Sequence, residues 1–151
     1  MTILALTLMF ALLIAFAALR RVPAGHVYTL YRGDRQLRLL RPGLHWIIPA
    51  VDRINHRIDL GGQMLRFDEP AVDVPALRGI VYWQVLEPER ADAVMGEVEQ
   101  MILRGALDAL QTEPATARSN RHELGRRVKQ RLNHTLRQSG MMVTRVELEA
   151  S

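Results

Sequence analysis

The chain has 151 residues, of which 48% are hydrophobic and 24% are charged, and this globular composition leaves room for one modest domain or two small lobes. It contains no cysteine, which excludes disulfide frameworks, thiolate zinc sites and thiol catalysis. The formal charge of +4 is carried by arginines, because Lys129 is the only lysine among the 20 basic residues. Arginine pairs bidentately with carboxylates and phosphates, but a GC-rich genome would produce the same excess.

The first nineteen residues carry no charge and predict a transmembrane helix over residues 1–19. Nineteen helical residues reach about 28 Å, just short of the roughly 30 Å hydrocarbon core of a bilayer. The segment is apolar on every side, whereas an interfacial helix needs a polar face. A cleaved signal peptide is the alternative, because Ala15-Phe16-Ala17 resembles a cleavage site, but the missing positive n-region speaks against it.

Arg20 and Arg21 stand directly behind the apolar run and form its charge flank. By the positive-inside rule, these two arginines favour a cytoplasmic location for the rest of the chain. The sequence therefore predicts a single-pass protein of the cell membrane, which in a bacterium is the inner membrane, with the bulk of the chain in the cytoplasm.

Strand-like patterns occupy the chain from Val22 to Leu86. Gly33-Asp34 suits a two-residue hairpin turn. Alternation from Asp52 to Leu60 puts Ile54 and Ile58 on one face and Arg57 on the other. The segment from Ile80 is apolar on both faces near its middle, which favours a central position in a sheet. The predicted strands are His26–Tyr31, Gln36–Leu40, Leu44–Ile48, Asp52–Leu60, Met64–Phe67 and Ile80–Leu86.

Two helices and a last strand follow. The first helix is predicted over Ala91–Leu110 with a break near Gly96, and the second begins at a capping box of Asn120 and Glu123. Gly140 ends it, and Met141–Leu148 is strand-like. The order of elements predicts an α+β fold. Its parts are an N-terminal transmembrane helix (1–19) and a domain (20–151), with a small mixed β-sheet lobe at 20–67 and a helix-containing lobe at 78–151.

Three motifs follow the apolar segment in a fixed order. They are Arg20-Arg21-Val22-Pro23-Ala24-Gly25, Arg41-Pro42-Gly43-Leu44-His45-Trp46-Ile47-Ile48-Pro49 and Val51-Asp52-Arg53. Together they resemble the SPFH, or Band 7, family of stomatin-, prohibitin- and flotillin-like membrane proteins, and the chain looks slipin-like. Ile80 to Pro88 and Gly140 to Leu148 resemble later parts of the family more loosely. Two features depart from it: the stretch between Phe67 and Arg78 is shortened, and the chain stops at Ser151, where relatives usually continue into a coiled coil.

The resemblance implies a first lobe that lies against or partly within a bilayer leaflet. Leu44, Trp46, Ile47 and Ile48 are then the candidate membrane-facing residues, since tryptophan and flanking arginines suit the bilayer surface. The run can also divide its side chains, with alternate ones in the core of the lobe and the rest towards lipid. The alternative, that all of them pack inside the lobe, stays open. The missing coiled coil weakens the expectation of large rings or cages.

The sequence shows no pattern typical of catalysis or of a cofactor or metal site. The five histidines lack ligand spacing, none of the three serines lies in a G-x-S-x-G elbow, and Gly61-Gly62 lacks the rest of a phosphate-binding loop. We therefore expect no enzyme activity, no cofactor and no metal.

The two predicted helices carry opposite charge. From Glu87 to Glu113 there are seven acidic and two basic residues, and from Arg118 to Arg137 there are seven basic and one acidic. The basic helix is a solvated face, a partner of the acidic helix in the same or a neighbouring subunit, or a nucleic-acid surface. No motif that reads nucleic acid supports the last, so we expect no nucleic-acid partner. The candidate oligomer or partner surface consists of Arg121, Arg126, Arg127, Arg131, Glu97 and Glu99.

From the resemblance we expect a non-enzymatic, membrane-anchored scaffold that self-associates and organises or regulates membrane proteins or lipid microdomains. The alternative is a membrane-tethered regulatory subunit of a single client, such as a membrane protease or channel, without large homo-oligomers. The expected partners are membrane lipids, further copies of the chain and a membrane-protein client.

Overall fold

The computed structural model describes residues 2–69 and 76–150. The chain divides into two units, Met1–Asp59 (unit 1) and Leu60–Ser151 (unit 2). Helices and small sheets in both halves confirm the predicted α+β class. The predicted shortening between Phe67 and Arg78 falls largely on residues 70–75, outside the described ranges.

Unit 1 begins with helix α1, Thr2–Ala18, at the position of the predicted N-terminal helix. Thr7 interrupts its apolar sequence, but the Thr7 hydroxyl donates to the carbonyl oxygens of Ile3 and Leu4 at 3.1 and 2.9 Å. The polar group is therefore satisfied within the helix. Across the described ranges, no helix combines the length and the apolar character that crossing a membrane requires.

Strand β1, Leu19–Val22, follows α1 directly and pairs antiparallel with β4, Gly43–Trp46. In this register Leu19 lies opposite Trp46, and Arg21 lies opposite Leu44. The Ile47 N–H donates to the Ala18 carbonyl oxygen at 2.9 Å, which ties the end of α1 to the residue after β4. The sequence did not predict β1, because two adjacent arginines leave no apolar-polar alternation there.

The other sheet of unit 1 has the strand order β3-β2-β5. Its strands are β2 (His26–Arg32), β3 (Arg35–Leu40) and β5 (Asp52–Asp59). The predicted hairpin between β2 and β3 is confirmed. Its turn contains Gly33 at a φ of 60°, a conformation that glycine adopts without steric cost.

Strand β5 carries a β-bulge that changes the predicted facing of its side chains. Leu30 lies opposite Ile54, while Tyr28 lies opposite Arg57, so β5 uses one more residue than β2 between the two pairs. Residues directly opposite each other on paired strands share a face of the sheet. Ile54 and Arg57 therefore lie on one face, and the prediction that they lie on opposite faces is wrong.

A small core cluster of unit 1 lies on that face. Val22, Leu30, Leu40 and Ile47 are buried together, with the partly buried Tyr28 and Ile54 packed against them. Each fully buried aliphatic side chain contributes about 1.5–3 kcal/mol. Because the cluster draws on β1 and on the residue after β4 as well as on β2 and β3, it holds the two sheets of unit 1 together.

Unit 2 contains an antiparallel sheet of order β6-β7-β8. Its strands are β6 (Gln63–Asp68), β7 (Leu77–Val85) and β8 (Met141–Ala150). The predicted central position of the strand from Ile80 is confirmed. The sequence placed the segment Met64–Phe67 in the first lobe. In the structure this segment belongs to β6, pairs with β7 and lies in unit 2, which begins at Leu60.

The helices of unit 2 lie between β7 and β8 in sequence. They are α2 (Pro88–Ala91), α3 (Val98–Thr112) and α4 (Arg121–Leu136). Turns over residues 92–97 separate α2 from α3, which confirms the predicted break. The Asn120 side chain accepts from the Glu123 N–H at 3.2 Å, which confirms the predicted helix cap. A 3-10 turn follows α4, and Gly140 at a φ of 68° ends it.

Helix α4 packs closely against β8, which lies at the edge of its sheet. A Cβ at Gly125 would lie 2.9 Å from the Val146 carbonyl oxygen, so only glycine allows this approach. The Asn133 side chain donates to the Val143 carbonyl oxygen at 3.1 Å and accepts from the Val143 N–H at 2.7 Å. Helix α4 thereby satisfies backbone groups of β8 that the sheet itself leaves open.

Candidate functional site

The surface of α1 is apolar and exposed on all sides. Ten of its large apolar side chains are between 48% and 82% exposed. A helix with apolar residues all round is typical of a segment that is covered by protein or lipid, since water solvates such a surface poorly. These side chains belong to Ile3, Leu4, Leu6, Leu8, Met9, Phe10, Leu12, Leu13, Ile14 and Phe16.

The four predicted membrane-facing residues lie on β4 and in the turn after it, beside the end of α1. Leu44, Trp46 and Ile48 are 65%, 64% and 53% exposed. Ile47 is the exception, because it is only 8% exposed and packs in the core cluster of unit 1. Strand alternation explains the split, since neighbouring residues point to opposite sides. Three of the four side chains are therefore available to an apolar partner.

The turn from Ile48 to Asp52 is held by the Asp52 side chain. One carboxylate oxygen accepts from the Ile48 N–H at 2.9 Å, and the other accepts from the Arg32 Nε at 2.8 Å. The Asp52 N–H also donates to the Ile48 carbonyl oxygen at 3.0 Å. The same turn contains Ala50 at a φ of 71°, which is uncommon for a residue with a side chain. Asp52 therefore fixes the turn that presents Ile48.

The two hydrogen bonds stabilise the ionised form of Asp52. Donation from the Arg32 guanidinium, followed by donation from the Ile48 N–H, lowers the pKa of the Asp52 carboxyl below its ordinary value. The same contact raises the pKa of Arg32. Both side chains are thus charged across the physiological range, and the Asp52 charge is already paired.

A cleft of about 490 Å³ opens beside this turn, within unit 1. Arg20 and Arg21 line it from β1, and Arg57 lines it from β5. The Arg57 guanidinium lies over the ring of Tyr28, 5.5 Å from its centroid, which is within the range of a cation–π contact. Asp52 also lines the cleft, and most of the other lining residues are apolar, among them Ala17, Ile48 and Pro49. The predicted charge flank of α1 thus forms one wall of a basic cleft with an apolar rim.

The predicted partner surface of unit 2 is only partly brought together. Arg127 pairs with Glu113 at 2.9 Å, and Arg131 reaches the same carboxylate at 3.9 Å. Arg126 pairs with Glu123 on its own helix. The basic helix therefore pairs with the end of the acidic helix in the same chain, as one of the three interpretations allowed.

Three members of the predicted surface lie elsewhere. Glu97 precedes α3 and Glu99 lies in its first turn, while Arg121 starts α4, and all three are exposed. Within residues 2–69 and 76–150, none of the three takes part in an ion pair. They are the charged residues of the predicted surface that remain open to a partner.

The ion pairs on α4 act on both partners. Hydrogen bonding to Glu113 raises the pKa of the Arg127 guanidinium, and hydrogen bonding from Arg126, with a smaller effect of Arg127, lowers the pKa of Glu123. Each shift favours the charged form of the residue concerned. Because the pairs are partly exposed, they orient the side chains more than they stabilise the fold.

The sequence patterns assigned no role to two residues that line the cleft, Asp52 and Arg57. Asp52 could have been found, because an aspartate after Pro49 is a turn signal and lies in one of the motifs quoted above. Arg57 could not, since its position beside Tyr28 depends on the bulge in β5. Among the described residues, no group of three His, Asp or Glu side chains is arranged to hold a metal ion.

The chain matches a protein-family model over most of its length. Residues 20–151 match the model described as SPFH domain / Band 7 family. The match begins at Arg20, directly after α1 and Leu19, and includes β4, the turn at Asp52 and the whole of unit 2.

Proposed function

The chain belongs to the SPFH domain / Band 7 family, and we propose that it is a membrane-anchored, non-enzymatic scaffold that self-associates and organises or regulates membrane proteins or lipid microdomains. Members of this family are generally non-enzymatic and membrane-associated. The observation that carries the proposal is the continuity between the apolar helix α1 and the exposed side chains of β4.

This continuity follows from the pairing of β1 with β4. Leu19 and Trp46 lie directly opposite each other and therefore share a face. Leu44 lies two residues from Trp46 on the same face of β4. A bilayer that covered α1 would thus reach Leu19, Trp46 and Leu44 without an intervening turn of the chain.

We infer that α1 is a single-pass anchor, with the rest of unit 1 and the whole of unit 2 in the cytoplasm. The seventeen residues of α1 correspond to about 25 Å of helix, several Å less than an average hydrocarbon core. A short segment is accommodated by local thinning of the bilayer and by flanking residues that snorkel to the interface. Arg20 and Arg21 are placed for this, since their aliphatic stems can lie along the apolar surface while the guanidinium groups reach water.

The absence of cysteine from the sequence allows a clean topology experiment. Thr2→Cys and Leu37→Cys each place one thiol at an exposed position, one on either side of most of α1. In intact cells, an impermeant maleimide should label Thr2→Cys and should reach Leu37→Cys only after the membrane is opened. The chain should also resist carbonate extraction. Labelling of both thiols in intact cells, or release by carbonate, would contradict the anchor.

Self-association is proposed to use the open charges of unit 2. Arg121 of one copy and Glu97 or Glu99 of another have opposite sign and lack ion-pair partners within the described part of their own chain. Arg121→Glu should reduce chemically crosslinked ladders in native membranes, and Glu97→Arg combined with Glu99→Arg should restore them in the Arg121→Glu background. Arg35→Glu, on β3 of unit 1, is the matched control. If none of these substitutions changes the crosslinked ladders, this surface does not mediate self-association.

One observation favours the alternative of a regulatory subunit for a single client, such as a membrane protease or channel. Arg126, Arg127 and Arg131 are paired within the chain, which leaves less charge for contacts between copies. Capture from native membranes separates the two functions. A ladder of the chain itself supports the scaffold, and one membrane protein at fixed stoichiometry supports the regulatory subunit.

A further inference from the structure

We propose that the basic cleft of unit 1 is a binding site for the phosphate of an anionic phospholipid headgroup. The inference rests on the proposed function, because it takes α1 to lie in a bilayer. It adds a chemical preference that general attachment to a membrane does not require.

The three arginines of the cleft come from two strands that are distant in sequence. Arg20 and Arg21 follow α1 on β1, while Arg57 lies near the end of β5 and is carried to this face by the bulge. Its guanidinium is held over Tyr28, which restricts its rotamers before any ligand binds. A guanidinium offers two parallel N–H donors to a phosphate oxygen pair. Arginines fixed around one cleft therefore suit a phosphodiester better than arginines scattered over a surface.

The charges of the cleft are open to an anion. Among the residues that the structure describes, Asp52 is the only acidic one that lines the cleft, and its carboxylate already accepts from Arg32 and from the Ile48 N–H. Arg20, Arg21 and Arg57 make no ion pair with the residues that the structure describes. Arg20 and Arg21 line the cleft from β1 and Arg57 lines it from β5, so an anion in the cleft would be attracted by three positive charges.

The position of the cleft points to a lipid as the source of the phosphate. Ala17, near the end of α1, forms part of its wall together with Ile48 and Pro49. If α1 enters the bilayer, the arginines lie at the level of the headgroups and the apolar wall lies towards the acyl chains. Inorganic phosphate would use the arginines and leave the apolar wall bare. A diacyl phospholipid would contact both.

The experiment uses Trp46 as a reporter, because it is exposed and lies next to Ile47 and Ile48 of the cleft. The only other tryptophan, Trp83, is buried in unit 2, and Trp83→Phe removes it. The full chain is reconstituted in vesicles of phosphatidylcholine and phosphatidylglycerol, with bromine on the acyl chains of one lipid at a time. We expect brominated phosphatidylglycerol to quench Trp46 with at least about fivefold higher apparent affinity than brominated phosphatidylcholine, as attraction from one or more arginines implies.

The matched control separates a site from general charge. Arg20→Gln, Arg21→Gln and Arg57→Gln together should bring the affinity ratio to about one. Arg35→Gln, Arg41→Gln and Arg53→Gln together remove equal charge from exposed positions of unit 1 outside the cleft and should leave the ratio unchanged. Circular dichroism and thermal unfolding check that both triple variants fold.

Each remaining outcome has one meaning. The proposed site is overturned if the unsubstituted chain shows an affinity ratio near one. It is also overturned if both triple variants lose the preference for phosphatidylglycerol to the same extent. Soluble glycerophosphate should compete for the arginines but should bind less tightly than phosphatidylglycerol at equal phosphate concentration. If it removes the preference at equal concentration, the lipid assignment is overturned, because the acyl chains would then add nothing to binding. If neither brominated lipid quenches Trp46, the membrane placement of unit 1 fails, and with it the proposed function.

Discussion

The two units of this chain distribute their apolar side chains in opposite ways. Among the described residues, nineteen large apolar side chains are exposed, and sixteen of them belong to unit 1. Unit 2 has three, Met64, Leu86 and Leu103, and buries most of its apolar residues between its sheet and its helices. Unit 2 thus has the surface of a protein domain in water, whereas unit 1 has a small core and an apolar exterior.

The difference shows where each unit obtains its stability. Unit 2 has α4 packed against β8 at Gly125 and Asn133, and it contains most of the buried apolar residues. Unit 1 has a small core cluster on one face of its larger sheet, the buried pair Val27 and Ile58 on the other face, and polar contacts at its turns, above all those of Asp52. An exterior such as that of unit 1 is stabilised by an apolar environment, which water does not supply. Because Trp46 lies in unit 1 and Trp83 in unit 2, fluorescence can follow the two units separately.

The largest effect is expected for a core substitution in unit 2. Ile102 on α3 is fully buried, while its neighbour Leu103 is 36% exposed. Ile102→Ala removes methylene groups and leaves a cavity, so it should lower the free energy of unfolding by about 3–5 kcal/mol. Leu103→Ala, the control, should lower the free energy of unfolding by less than about 1 kcal/mol, because the Leu103 side chain is partly exposed to water. Denaturant unfolding followed by Trp83 fluorescence gives both free energies of unfolding. Similar losses for the two variants would contradict the assignment of Ile102 to the core and of Leu103 to its exposed edge.

A pair of adjacent substitutions tests the boundary inside unit 1. Ile47→Ser buries a hydroxyl in the core cluster and should cost about 2–4 kcal/mol, measured by unfolding in mild detergent with Trp46 as the reporter. Ile48→Ser changes an exposed side chain and should leave stability within about 0.5 kcal/mol. It should instead weaken contact with lipid, seen as reduced quenching by brominated phosphatidylcholine. If Ile48→Ser unfolds unit 1, its side chain is core and the apolar exterior is smaller than described.

A third substitution concerns the connection between the helices and the sheet of unit 2. Gly140 has a φ of 68°, and a Cβ there would lie 2.6 Å from the Glu87 carbonyl oxygen. Gly140→Ala should therefore lower the stability of unit 2 by about 1–3 kcal/mol, from the left-handed backbone and the close approach. Gly96→Ala is the control, because a Cβ at Gly96 meets no atom within 4 Å among the described residues. If both substitutions lower the stability of unit 2 equally, the left-handed backbone and close approach at Gly140 do not explain its effect.

The sequence predicted local elements well and predicted side-chain facing less well. The hairpin at Gly33, the cap at Asn120 and the end at Gly140 depend on residues close in sequence, and all three are confirmed. Strand β1 depends on pairing with β4, more than twenty residues away, so nothing local signals it. The bulge in β5 is a similar case, because Leu30 and Tyr28 of another strand define it.

The candidate site depends on the same distant contacts. Arg20 and Arg21 were identified as a charge flank, and the predicted membrane-facing residues Leu44, Trp46 and Ile48 are exposed. The cleft could not be predicted, since Arg57 reaches it only through the bulge. Alternate side chains of the apolar run were expected in the core, but the sequence did not show that Ile47 is the one that is buried. The apolar composition of the sequence identified the region around β4, but strand pairing determines which of its side chains are buried and which are exposed.

The smallest effect is expected at Asp52 and depends on pH. Its folded-state pKa is lowered, so its contribution to stability is present above the unfolded pKa of about 3.9 and is lost as pH falls through the folded value. Asp52→Asn should therefore lower the thermal unfolding midpoint of unit 1 at pH 7, with Trp46 as the reporter. The difference from the parent chain should shrink towards zero at acidic pH, where Asp52 itself is protonated.

The matched control for this change is Asp68→Asn in unit 2, whose carboxylate pairs with Arg78 at 2.8 Å but is 74% exposed. Water and salt screen such a pair, so the Trp83 transition should move little at either pH. If Asp52→Asn lowered the midpoint equally at neutral and acidic pH, the effect would come from packing of the turn and not from its charge. The exposed apolar turn of unit 1 would then be stabilised by side-chain packing and not by the charge of Asp52. The two units would no longer differ in whether polar contacts or a buried core stabilise them.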